Sequence, residues 1–136
     1  MSTFNVLVVD DDEAIRALLL EYLGQQSHVS VDAARDGVEA LHQIALHRYR
    51  VIVLDVVMPK MSGVDLLDSL QAFRADPSLK RARVSDWPAI IVITSTPEAL
   101  LTKDVLDHHF PGLIYGVFRK PLDVAALAAV VERCLR

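Results

Sequence analysis

Residues 5–12 read NVLVVDDD: a valine-rich apolar run, Asn5–Val9, stopped abruptly by Asp10, Asp11 and Asp12. A strand covered on both faces reads this way, because neither of its alternating sides needs to be polar. The pattern returns at Val51–Leu54 (VIVL), stopped by Asp55, and at Ala89–Ile93 (AIIVI), stopped by Thr94, Ser95 and Thr96. Val29–Ala33 and the short Gly116–Phe118, with a start as early as Leu113 left open, complete a set of five expected strands.

Between these runs the apolar period changes. Ile15, Leu18, Leu19, Tyr22 and Leu23 share a helical stripe that Gly24 ends. Asp36 and Gly37 make a turn before a second stripe of Val38, Leu41, Ile44 and Ala45. Pro59 and Gly63 frame a loop in which Ser62 is placed to cap a helix through Leu66, Leu67, Leu70 and Phe73. Pro97 and Glu98 suit the first turn of a fourth helix carrying Leu100, Leu101, Val105 and Leu106. Lys120, Pro121 and Asp123 lead into a fifth through Leu127, Val130, Val131 and Leu135. The stretch from Asp76 to Pro88, with two prolines and the basic run KRAR, has no period and reads as an extended connection. Strands alternating with helices predict an α/β fold: a parallel sheet with helices on both faces.

At 136 residues, 52% of them apolar, the chain matches one domain with a sizeable core, residues 1–136, and no output module of its own is expected. A net charge of −4 argues against broad affinity for nucleic acid or anionic membranes. Cys134 is the single cysteine, which fits a reducing compartment. The N-terminal sequence lacks the features of a signal peptide, and no apolar run approaches the ~20 residues of a membrane span. A cytoplasmic protein is expected.

In an open parallel sheet the functional crevice lies beyond the carboxyl ends of the strands. The first strand delivers Asp10, Asp11 and Asp12 there, the third Asp55, the fourth Thr94 and Ser95, the fifth Lys120. Two carboxylates ~4 Å apart repel by about 4 kcal/mol at an effective dielectric of ~20. A hard divalent cation relieves this, and Mg²⁺ keeps water positions open for a phosphoryl oxygen. Phosphoryl transfer needs a nucleophile, a bridging cation and further donors. Asp55 suits the nucleophile, Thr94 the hydroxyl donor and Lys120 the fixed cation. Each residue also has a structural reading: Asp12 as a helix cap, Thr94 as an ordinary strand end, Lys120-Pro121 as a turn or a cis peptide.

The segments VLVVDDDEAIRALL, VIVLDVVMPKMSGVDLL, IIVITS and FRKPLD resemble the receiver domain of bacterial two-component response regulators, over essentially the whole chain. The resemblance implies a flavodoxin-like, doubly wound sheet of strand order 2-1-3-4-5. It implies Mg²⁺ bound directly by Asp11, by Asp10 largely through water, by Asp55 and by the backbone carbonyl of Val57. It makes Asp55 the phosphoacceptor, Thr94 and Lys120 the phosphoryl-stabilising pair, and a histidine kinase, phosphotransfer protein or small acyl phosphate the donor. Output is expected through the face of helix four, strand five and helix five, to a protein partner or a second copy of the chain. Family members usually carry Tyr or Phe three residues before the lysine as a switch. Here that position is Val117, leaving open whether Tyr115 or Phe118 takes its part. The Asp55–Thr94 span and the stretch containing HHFPGLIYG are longer than usual for the family.

Two other readings compete. A phosphatase of the haloacid dehalogenase class also uses an aspartate after strand one, but it needs an acidic pair downstream of the lysine, where only Asp123 and Glu132 remain. A pseudo-receiver scaffold, bound to partners but never phosphorylated, fits Val117 and fails to explain the full acidic set. His108 and His109 are adjacent on a helix and do not face one ion.

Overall fold

A computed structural model describes residues 4–26, 28–57, 62–75, 87–97 and 100–135. Five strands alternate with five helices: β1 (Phe4–Val9), α1 (Glu13–Leu23), β2 (Val29–Ala34), α2 (Gly37–Leu46), β3 (Val51–Asp55), α3 (Gly63–Ala75), β4 (Ala89–Thr94), α4 (Lys103–His109), β5 (Ile114–Arg119) and α5 (Val124–Leu135). All pairings are parallel and the sheet order is β2-β1-β3-β4-β5. The expected α/β doubly wound topology is therefore observed.

The unbroken apolar runs are explained by two cores. Leu7, Val9, Ile52, Leu54, Ile90 and Val92 point to the side covered by α2, α3 and α4. Their neighbours Val6, Val8, Val51, Val53, Ile91 and Ile93 point to the side covered by α1 and α5. Side chains alternate across a strand, so burial on both faces demands an apolar residue at every position. Every residue of β3 is buried, and each Leu or Ile so placed contributes about 1.5–3 kcal/mol.

The helices use narrower stripes than their apolar residues suggest. In α1 only Leu19 and Leu23 are buried, while Leu18 and Tyr22 are exposed; Val38 and Phe73 are exposed as well. Helix α4 departs more. It begins at Lys103, with Thr102 as its cap, so Leu100 and Leu101 precede it rather than lie within it. The Pro97 carbonyl accepts the N–H groups of Leu100 and Leu101 in a separate turn. Thr102 is extended and its hydroxyl accepts from Val105 N at 3.2 Å, which is where the helix starts. Strand β5 begins at Ile114 and runs one residue past its expected end, to Arg119. Within the HHFPGLIYG stretch Phe110, Leu113 and Ile114 join the core, and Gly112 lies in the left-handed region at φ 73°. The Asp76–Trp87 connection, apart from Trp87, lies outside the described residues, as do Pro59 and Glu98.

Candidate functional site

Parallel pairing brings the carboxyl ends of β1, β3, β4 and β5 to one rim. Asp10 follows β1 and is fully buried. It is held at three points: its N–H donates to Ala34 O at 3.1 Å, its carbonyl accepts Arg16 Nη1 at 2.8 Å, and its side-chain Oδ1 accepts Asp12 N at 2.9 Å. Asp11 is exposed beside it. Asp12 is turned away to cap α1, accepting from Ala14 N at 2.9 Å and Ile15 N at 3.4 Å. The cap reading of Asp12 holds.

Asp55 ends β3 and is 4% exposed. Its Oδ1 accepts Val57 N at 3.0 Å, and its Oδ2 accepts Lys120 Nζ at 3.0 Å. The chain beneath it is tight: Gly63 N donates to Val56 O at 3.2 Å, and a Cβ on Gly63 would overlap the Asp55 carbonyl and lie 2.5 Å from Val56 Cα. Only glycine lets α3 start this close to the aspartate. Val57 follows with its side chain exposed.

Thr94 ends β4, fully buried, and its hydroxyl accepts Thr96 N at 2.9 Å. Its carbonyl accepts Lys120 N at 2.8 Å, which ties the end of β4 to the residue after β5. The Lys120–Pro121 peptide is cis. Lys120 Nζ also lies 2.9 Å from Asp10 Oδ2, but outside hydrogen-bond direction, so this buried oxygen has a nearby charge and no hydrogen-bond donor among the described residues.

The electrostatics follow. Burial raises the Asp10 carboxyl above its usual range; the Asp12 N–H and Lys120 oppose this, and the Asp55 charge adds to it. Burial alone would lower the Lys120 ammonium, but its contacts with Asp10 and Asp55 outweigh it and the net shift is upward. Three carboxylates with one ammonium leave the rim acidic. Oxygens of Asp10, Asp11 and Asp55 all lie within 4.8 Å of one another. An octahedral Mg²⁺ with ligands at about 2.1 Å spans roughly 4.2 Å between opposite oxygens, so the set is close to what one ion needs. The donor chemistry, all hard oxygens, and the hydrogen-bond-free Asp10 Oδ2 both fit such a cation.

The residues expected to form the switch do not share a face. Val117 and Leu101 both pack against the core covered by α2, α3 and α4, whereas Phe118 packs against the opposite core, covered by α1 and α5. The register of β5 against β4 shifts between Ile90 and Ile91, where Ile114 and Gly116 are paired and Tyr115 is passed over. Tyr115 is half exposed and lies near Cys134 on α5; burial pushes the Cys134 thiol up from its usual range, with Tyr115 and Arg133 opposing it. Neither aromatic therefore occupies the α4 side of β5. The side chain that does reach in that direction is Arg119, whose Nη2 donates to Leu101 O. Arg119 and Arg16 were not singled out from the sequence, although the two-residue strand period puts Arg119 on the same side as Val117. His108 and His109 are both exposed and meet edge to face at 5.6 Å between ring centres.

Comparison with known proteins agrees with this geometry. The family model for the response regulator receiver domain matches residues 6–132. Response regulator MprA of a Mycobacterium species is 45% identical over 134 residues, 96% of this chain and 50% of the relative. Transcriptional regulatory protein HptR of Staphylococcus aureus is 27% identical over 135 residues, 98% of this chain and 47% of the relative. The chain thus spans about half the length of these curated relatives. Among solved structures, the receiver domain of the Francisella response regulator 1452 superposes with a TM-score of 0.77 at 23% identity, covering 97% of this chain and 96% of that one. The chemotaxis response regulator CheY4 of Vibrio cholerae superposes at 0.72 with 26% identity, covering 98% and 99%.

Proposed function

Because the chain belongs to the response regulator receiver domain family, we propose that it accepts a phosphoryl group on Asp55 from a histidine kinase or phosphotransfer protein. A carboxylate oxygen of Asp55 attacks phosphorus, a new O–P bond forms, and the P–N bond to the donor imidazole breaks with its electron pair leaving on that nitrogen. Asp11, Asp55 and the Val57 carbonyl would hold Mg²⁺ directly, with Asp10 acting largely through water. The cation supplies charge neutralisation for the equatorial phosphoryl oxygens. Lys120 donates to the same group from a fixed position, and the buried Thr94 hydroxyl has its proton free to donate, since its oxygen already accepts from Thr96 N.

The observation that carries this reading is the setting of Asp55. It is buried, held at both oxygens, and grouped with the carboxylates of Asp10 and Asp11. Of the two downstream acids that the phosphatase reading would need, Asp123 is taken up in capping α5, accepting Ala126 N at 3.0 Å. Output passes to a protein partner or a second copy of the chain through the α4–β5–α5 face, where Leu100, Val105 and Tyr115 are exposed. The same reading places the domain in the cytoplasm, where kinase and donor meet it. Among the described residues no helix is long and apolar enough to cross a membrane.

The test is intact-mass measurement after incubation with acetyl phosphate and Mg²⁺. The parent gains one phosphoryl group and Asp55→Asn gains none; an equal gain in the variant contradicts the assignment.

A further inference from the structure

Near its end β5 offers only two side chains to the α4 side of the sheet, Val117 and Arg119, because Phe118 between them faces the other core. Val117 is apolar and packs. Arg119 does something different: its Nη2 donates to the carbonyl of Leu101. Leu101 also packs its side chain against the core under α4, so it is held at both ends. It directly precedes Thr102, whose hydroxyl accepts Val105 N at 3.2 Å and whose carbonyl accepts Leu106 N at 3.1 Å to begin α4. Arg119 therefore grips the residue immediately before the cap of α4.

The same strand end carries the site. Arg119 is the register partner of Thr94, and the next residue is Lys120, whose N–H lies on the Thr94 carbonyl. Thr94 and Lys120, which flank Asp55, thus stand one strand pair and one peptide unit from Arg119. The grip is also incomplete. Arg119 Nη1 is buried and finds no acceptor among the described residues. A charged donor buried without a partner is costly, so this arrangement is readily displaced by a bias at its neighbours.

We propose that Arg119 is the latch through which the state of Asp55 governs α4. It holds Leu101 against β5 while Asp55 is unmodified and releases it when Thr94 and Lys120 engage a phosphoryl group. The inference rests on the phosphoacceptor reading of Asp55. It assigns the switching role to a polar side chain two residues beyond Val117, with neither Tyr115 nor Phe118 in that place.

Hydrogen exchange at the Val105 and Leu106 amides tests it, in the parent, Arg119→Met and Arg119→Lys, each before and after acetyl phosphate with Mg²⁺, with phosphoryl content read by intact mass. Unmodified Arg119→Met exchanges roughly tenfold faster than the parent at these two amides, and at the parental rate in β3. Arg119→Lys falls between. Phosphorylation moves the parent toward the Arg119→Met values and leaves phosphorylated Arg119→Met where it was. Should Arg119→Met fail to fold, Arg119→Lys, which keeps the charge and loses the fork, carries the comparison. Parental exchange in the unmodified variant, or a parental response to phosphorylation in it, overturns the latch. A parent that takes up no phosphoryl group overturns the underlying reading and the release step with it.

Discussion

Lys120 Nζ stands 3.0 Å from Asp55 Oδ2 across 65 residues of sequence, and the same ammonium lies 2.9 Å from Asp10 Oδ2. Without a bound cation it is the charge that holds two buried carboxylates together. Lys120→Met leaves both unpaired, and the expected loss of stability is about 1–3 kcal/mol. Urea unfolding with and without Mg²⁺ checks this, and the deficit should shrink when the cation is present because it replaces the missing charge.

Asp11 and Asp12 are neighbours with different work. Asp12→Ala removes the α1 cap and should cost about 0.5–2 kcal/mol with little change in Mg²⁺ affinity. Asp11→Ala should leave stability nearly unchanged and weaken Mg²⁺ binding by roughly tenfold or more. Calorimetric titration with Mg²⁺, beside thermal unfolding of each variant, separates the two roles.

Gly63 is the residue that lets α3 begin under Asp55. Gly63→Ala forces a Cβ into the Asp55–Val56 backbone, so a loss of about 1–3 kcal/mol is expected, together with slower phosphorylation by acetyl phosphate. Gly24→Ala, at the α1 C-cap and remote from Asp55, should leave that phosphorylation rate near the parental value.

At the opposite end of the sheet the buried Tyr49 hydroxyl donates to Asp32 Oδ2 at 2.7 Å. Burial first, and then the Asp32 hydrogen bond and charge, push the phenol well above its usual value of 10.0. The neutral phenol is thus favoured by folding. Its stabilisation is full below about pH 10, where the unfolded phenol titrates, and is lost as pH rises beyond that. Tyr49→Phe should be less stable than the parent by about 1–2 kcal/mol at neutral pH, and the gap should narrow above pH ~10 in urea unfolding curves.

Much of this architecture was legible in the sequence because β1, β3 and β4 are buried on both faces, so their apolar runs end sharply where Asp10, Asp55 and Thr94 reach the rim. The sidedness of the helices was less legible. Leu18, Tyr22, Val38 and Phe73 are apolar yet exposed, and an apolar residue on a helix does not by itself declare which way it faces. The start of α4 was hidden by Pro97 and Glu98, which imitate a first turn, while Thr102 supplies the cap in the fold. Within the site, the convergence of Asp10, Asp11, Asp55 and Lys120 followed from each lying at the carboxyl end of a strand in a parallel sheet. The place of Arg119 did not, because its partner is a backbone carbonyl and leaves no mark in side-chain identity.

The central claim is that Asp55 itself becomes the acyl phosphate. The direct measurement is reductive trapping with borohydride after acetyl phosphate and Mg²⁺ treatment, followed by digestion and fragment-mass sequencing. The account predicts reduction at position 55 alone, abolished when Mg²⁺ is chelated before the donor is added. Reduction at Asp10 or Asp11 with Asp55 intact would contradict it.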